Sequence, residues 1–143
     1  MRFTVATVGI TLLSAMISSA GEKKGTRVSL RAAPRVAAAP VTIVFNVELT
    51  GGEDGEDLYC PVLEWEWGDG TRSVEDEDCP PFEAGRTPVP RRFTVSHEYR
   101  DRARPRVVVT VRKGDRVLGT ANVALIIGDR KQPLRGSYRQ TPD

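Results

Sequence analysis

A chain of 143 residues carrying 21 Lys and Arg against 19 Asp and Glu, a formal charge of +2, is one domain's worth of sequence with room for a single core. That near balance argues against a nucleic-acid binder, which is normally more basic. One His and two Cys leave no multi-histidine metal centre and no standard four-ligand zinc site without carboxylates.

Residues 1–20 differ from the rest. Arg2 is the one charge, a mostly apolar run extends from Val5 to Ile17, and Ser18-Ser19-Ala20 precedes Gly21. This pattern predicts a secretory signal peptide, excluded from fold reasoning. The run is shorter than the ~20 residues a spanning helix needs, so no stable membrane span is expected after cleavage. The mature protein is expected to be secreted or periplasmic, and residues 21–25 to be a short leader. A strand is predicted over residues 26–33, with Val28 and Leu30 on one face, until Pro34 interrupts it. The alanine-rich run to Pro40 is expected along a sheet edge. In residues 41–49, Val41, Ile43, Phe45, Val47 and Leu49 are all apolar and alternate with Thr42, Asn46 and Glu48, the period of a strand with one face buried. Residues 51–57 form a loop by composition and hold Glu53, Asp54, Glu56 and Asp57.

Leu63, Trp65 and Trp67 then alternate with Glu64 and Glu66 ahead of Asp69-Gly70. Asp-Gly between two strand-like runs predicts a hairpin, because a type I′ turn needs φ > 0 at both central residues. Pairing about that turn sets Trp65 opposite Val74 and Cys60 opposite Cys79. Facing residues of an antiparallel pair lie about 4.5 to 5.5 Å apart at Cα, which a disulfide can span. An oxidising compartment favours that bridge, and closing about 20 residues is worth roughly 3 kcal/mol in the chain-entropy model. The return strand ends in Glu75, Asp76, Glu77 and Asp78, and the four prolines of residues 79–90 keep that segment out of a sheet centre. Strands follow over residues 92–99 (Phe93 and Val95 inward), 105–112 (Val107, Val109 and Val111 inward) and 116–127 (Ala121, Val123, Leu125 and Ile127 inward). The polar, patternless residues 129–143 are expected to be a disordered tail. About seven short strands with turns every 8 to 12 residues predict an all-β, immunoglobulin-like β-sandwich with one disulfide.

Trp65-Glu66-Trp67-Gly68-Asp69-Gly70 resembles the Trp-Asp-Phe-Gly-Asp-Gly signature of PKD domains, with Glu66 and Trp67 in place of Asp and Phe. His97-Glu98-Tyr99 resembles the family's His-x-Tyr. The resemblance spans residues 26–128 and implies a PKD-type sandwich in which Trp65, Trp67, Gly68, Asp69, Gly70, His97 and Tyr99 are structural, Tyr99 as a tyrosine corner. Ala103-Arg104-Pro105 departs from the Gly-x-Tyr with which the family opens the next strand. The resemblance further implies a spacer or binding module, not an enzyme.

Three surface features are candidates for function. The eight carboxylates before Cys60 and before Cys79 gather at one end if the bridge forms, and calcium takes six to eight oxygen ligands, though neither cluster has EF-hand spacing. Arg100, Arg102, Arg104 and Arg106 fall at the opposite end, a candidate contact for an anionic polysaccharide or an acidic protein. Glu64 and Glu66 share an outward strand face with Cα atoms about 7 Å apart, a spacing open to an inverting glycosidase. The expected function is therefore an exported, non-catalytic module that binds protein or polysaccharide, or spaces, at the envelope. No cofactor is expected, with calcium stabilisation as the alternative and a minimal hydrolase as the less favoured one.

Overall fold

The computed structural model describes residues 25–130; the expectations for residues 1–20, for the leader except Gly25 and for the tail from residue 131 lie outside them, while Asp129, expected in the tail, ends a strand. The strands are β1 (Arg27–Ala33), β2 (Val36–Ala39), β3 (Val41–Thr50), β4 (Val62–Glu66), β5 (Arg72–Glu75), β6 (Arg92–Tyr99), β7 (Arg106–Lys113), β8 (Arg116–Ala124) and β9 (Ile126–Asp129). A short 3-10 turn, Glu56–Leu58, interrupts the acidic loop before Cys60. The fold is an all-β, immunoglobulin-like sandwich. One sheet has the order β1-β3-β6 and the other β5-β4-β7-β8, while β2 and β9 form a parallel pair at the side.

Period-2 alternation places the core. Ile43, Phe45 and Val47 of β3 meet Trp65 of β4 and Val107, Val109 and Val111 of β7, all at most 1 % exposed. Phe45 packs against both indoles, with ring centroids 5.7 Å from Trp65 and 5.3 Å from Trp67. Burying such a set contributes roughly 1.5 to 3 kcal/mol per large side chain. Trp65 Nε1 is buried without a hydrogen-bond partner, a local cost that the surrounding aromatic contacts offset.

Three expectations are corrected. The hairpin pairs Trp65 with Ser73 and Glu64 with Val74, one residue away from the predicted register. The reversal is centred on Asp69: Trp67 N–H donates to the Thr71 carbonyl at 3.1 Å, and the positive φ angles fall on Gly68 (75°) and Gly70 (91°), not on Asp69. Asp69 keeps negative φ because its carboxylate accepts from the Thr71 backbone, an Asx-type closure that supplants the two-residue turn. The ladder also ends at Leu63 and Glu75, so Cys60 and Cys79 are bonded through loop segments beyond it, with Cα atoms 6.2 Å apart. Cys60 itself takes φ of 51°, a left-handed turn that aims its sulfur back toward Cys79. Finally, residues 116–127 are not one strand. The chain leaves the β7 ladder at Ala124, and Ile126 and Ile127 pair in parallel with Val36 and Ala37.

The bridge, the acidic loop and the Lys113–Arg116 turn share one end of the sandwich, where Lys113 Nζ donates to the Tyr59 carbonyl at 2.5 Å and Arg116 pairs with Asp57 at 3.4 Å. The hairpin tip lies at the other end. A Cβ on Gly68 would come within 2.7 Å of the Arg106 carbonyl oxygen and 2.9 Å of Pro105, whereas one on Gly70 would meet open space. Gly68 therefore combines a φ that favours glycine with a backbone contact that excludes any side chain. Gly68→Ala should cost about 2 to 4 kcal/mol in denaturant unfolding, against about 1 kcal/mol for Gly70→Ala; equal costs would contradict the close approach.

Candidate functional site

The polar residues of the Trp-Gly-Asp-Gly and His-x-Tyr stretches converge on one cluster. Alternation on β4 turns Trp65 and Trp67 inward, and on β6 it brings His97 and Tyr99 to the same face. The Trp67 indole lies between two parallel rings, Trp65 at 4.6 Å and His97 at 4.3 Å between centroids, with interplanar angles of 4° and 3°. Tyr99 meets the His97 ring edge-on at 4.9 Å. Offset and edge-on contacts of this kind add roughly 0.5 to 1.5 kcal/mol each beyond burial.

Asp69 closes the cluster. Its Oδ1 accepts from Thr71 N–H at 2.9 Å and from the Thr71 hydroxyl at 2.6 Å, and its Oδ2 accepts from His97 Nε2 at 2.8 Å. The His97 bond joins β6 in one sheet to the β4–β5 hairpin of the other. Trp67 Nε1 donates to Ser73 Oγ at 3.1 Å, and the Tyr99 hydroxyl donates to the Trp67 carbonyl at 2.9 Å. That last bond corrects the tyrosine-corner expectation: a corner tyrosine bonds back within its own loop, whereas Tyr99 reaches across to the facing sheet. Burial alone would raise the Asp69 carboxyl, but the hydrogen bonds from His97 and Thr71 outweigh it and hold the carboxyl at about 2, below its ordinary 3.8. Burial, with the Asp69 charge nearby, pushes the Tyr99 hydroxyl above its ordinary range.

The remaining candidates lie apart. Asp54 is paired with Arg91, and Asp57 with Arg116; Glu53 and Glu56 stand beside them, Glu53 exposed. Glu75, Asp76, Glu77 and Asp78 are all exposed, on and after β5. No group of three or more His, Cys, Asp or Glu side chains among the described residues is arranged to hold a metal ion. Glu64 pairs with Arg112 at 3.7 Å and Glu66 with Arg72 at 3.4 Å, so each carboxylate has its own cation across the sheet surface. At the hairpin-tip end, Arg100 pairs with Glu98 at 3.4 Å and Arg106 bonds Asn122 at 3.3 Å, while Arg102 and Arg104 are exposed without an acidic partner among the described residues.

Sequence reasoning missed Thr71 and Ser73. A turn aspartate commonly accepts from the backbone N–H two residues on, and that signal points to Thr71. Ser73 follows from that closure, because the shifted register puts it opposite Trp65 and beside the Trp67 indole.

Asp69 makes the fold acid-sensitive. Its folded pKa lies below its unfolded one, so its contribution is complete above pH 3.8 and is lost as pH falls through about 2. After discounting for partial solvent exposure, wild type should lose about 1 to 2 kcal/mol more than Asp69→Asn between pH 4.5 and pH 2. Chemical denaturation at stepped pH checks this, and parallel curves for the two proteins would contradict it.

The chain matches no protein-family model, and no curated protein matches it as a relative.

Proposed function

We propose that the protein is an exported, non-catalytic PKD-like module that binds a protein or polysaccharide, or acts as a spacer, at the cell envelope or outside it. One observation carries this reading: the His-Asp pair, the group best suited to chemistry, is engaged between the two sheets, with the His97 ring flat against Trp67 and the Asp69 carboxylate held by Thr71. Its surroundings are those of a clamp. The Cys60–Cys79 bridge supports residence in an oxidising compartment, secreted or periplasmic, in keeping with the signal-like residues 1–20. No helix among the described residues is long and apolar enough to cross a membrane.

Affinity capture from envelope material with the purified mature protein tests the reading. A retained protein or polysaccharide is expected with wild type and equally with the Glu64→Gln, Glu66→Gln double variant, with no turnover of the retained material. Turnover that the double variant abolishes would replace this reading with a hydrolase. The thermal midpoint should be the same in calcium and in EDTA, and a rise of several degrees in calcium would favour a calcium-stabilised module.

A further inference from the structure

The sheet β1-β3-β6 has three strands, and the strand that precedes β6 in the chain, β5, lies in the facing sheet. Sandwiches of the constant immunoglobulin type place a fourth strand beside the position that β6 occupies. Here residues 76–90 carry Pro80, Pro81, Pro88 and Pro90 and form no strand, and Arg91, immediately before β6, bonds back to β3. Their contacts hold them at the disulfide end: the Tyr59 hydroxyl donates to the Pro80 carbonyl at 2.9 Å, the Tyr59 and Phe82 rings lie 5.5 Å apart, and Arg91 holds Asp54. The outer edge of β6 is left without a neighbour among the described residues.

The hydrogen-bond pattern identifies which groups face outward. Leu49 N–H donates to the Arg91 carbonyl at 2.8 Å, and the register runs through Val47–Phe93, Phe45–Val95 and Ile43–His97. Bonded pairs of an antiparallel ladder recur every second residue, so residues 93, 95 and 97 bond to β3. The N–H and C=O groups of Arg92, Thr94, Ser96 and Glu98 therefore point away from the sheet, and these four residues are exposed. Beside this edge, a groove of about 330 Å³ opens between β5 and β6, lined among others by Tyr59, Leu63, Phe93 and Val95, with Glu75 and Glu77 on its β5 side. Glu75, Asp76, Glu77 and Asp78 have no cationic partner among the described residues, in contrast to Asp54 and Asp57, and Arg92 across the groove is already paired with Glu48 at 3.1 Å.

We infer that the outer edge of β6 accepts an extended segment of a partner protein. The segment bonds Thr94, Ser96 and Glu98 as an added strand, places apolar side chains in the groove, and sets lysines or arginines against Glu75–Asp78. Main-chain bonds supply affinity in such strand addition, while the groove and the charges select the sequence. The four uncompensated carboxylates specify a basic segment, because like charge on the guest would be repelled. This inference rests on the binding-module reading and names its partner class and contact surface.

The probe is a seven-residue peptide alternating lysine with valine, compared with its glutamate–valine counterpart, and titrated into the isotope-labelled mature protein. Amide shifts and slowed hydrogen exchange are expected at Thr94, Ser96 and Glu98 with the lysine peptide alone. Ser96→Pro deletes an outward N–H without touching the β3 ladder, which an edge position tolerates. It should weaken binding about tenfold, as should Glu75→Lys with Glu77→Lys at exposed sites that leave the fold intact. Binding that is indifferent to both variants, or no binding at millimolar peptide, would overturn the inference. So would a stable dimer joined β6 to β6. Shifts confined to the Arg102–Arg104 end would also overturn it while leaving the binding-module reading standing, which the capture experiment tests independently.

Discussion

The hydrogen bond from His97 to Asp69 is the constraint on which the two sheets depend. A sandwich is held mainly by apolar burial, which is non-directional and lets one sheet slide over the other. The directional contacts here are few and converge at one place. His97 Nε2 reaches Asp69 in the hairpin, and the Tyr99 hydroxyl reaches the Trp67 carbonyl, both from the end of β6. Between them the Trp65, Trp67 and His97 rings stack in parallel, with the Trp67–His97 contact crossing from one sheet to the other. The two indoles and Tyr99 are buried while Asp69 and Thr71 lie at the exposed rim, so it is the Tyr99 hydroxyl above all that stabilises only while it keeps its partner.

The hairpin follows from the same constraint. A two-residue turn at Asp69-Gly70 would put Asp69 at positive φ and set the strands one residue out of the observed register. The observed loop gives positive φ to the two flanking glycines and leaves the Asp69 side chain to be shared between Thr71 and His97. Gly68 lies against the backbone of Arg106, so the tip of the hairpin docks directly on the start of β7. The disulfide, at the far end, closes the same hairpin through segments that have already left the ladder. The hairpin is thus fixed at both ends by different chemistry.

Much of this was legible from residue order. Period-2 alternation located the buried faces of β3, β4 and β7, since every apolar residue assigned inward there is at least partly buried. The cysteine pairing was also legible, although the reason given for it, direct opposition in a ladder, is not how the bridge is made. The one-residue slip was hidden because turn type depends on a side-chain bond from Asp69 that dipeptide preference does not encode. The break between β8 and β9 was hidden for a related reason: Leu125 and Ile127 keep the alternation going while the backbone changes partner from β7 to β2. Of the candidate sites, composition located the acidic runs but not their difference. Asp54 and Asp57 are compensated by arginines distant in sequence, and residues 75–78 are not.

His97 and Asp69 clamp β6 of one sheet to the hairpin tip of the other. A double-mutant cycle on Asp69→Asn and His97→Gln, measured by chemical denaturation at pH 6, tests that most directly. A coupling energy of about 1 kcal/mol or more is expected, with either single variant removing most of what the pair contributes. Costs that add to within about 0.3 kcal/mol would show two independent residues, and the clamp would be contradicted.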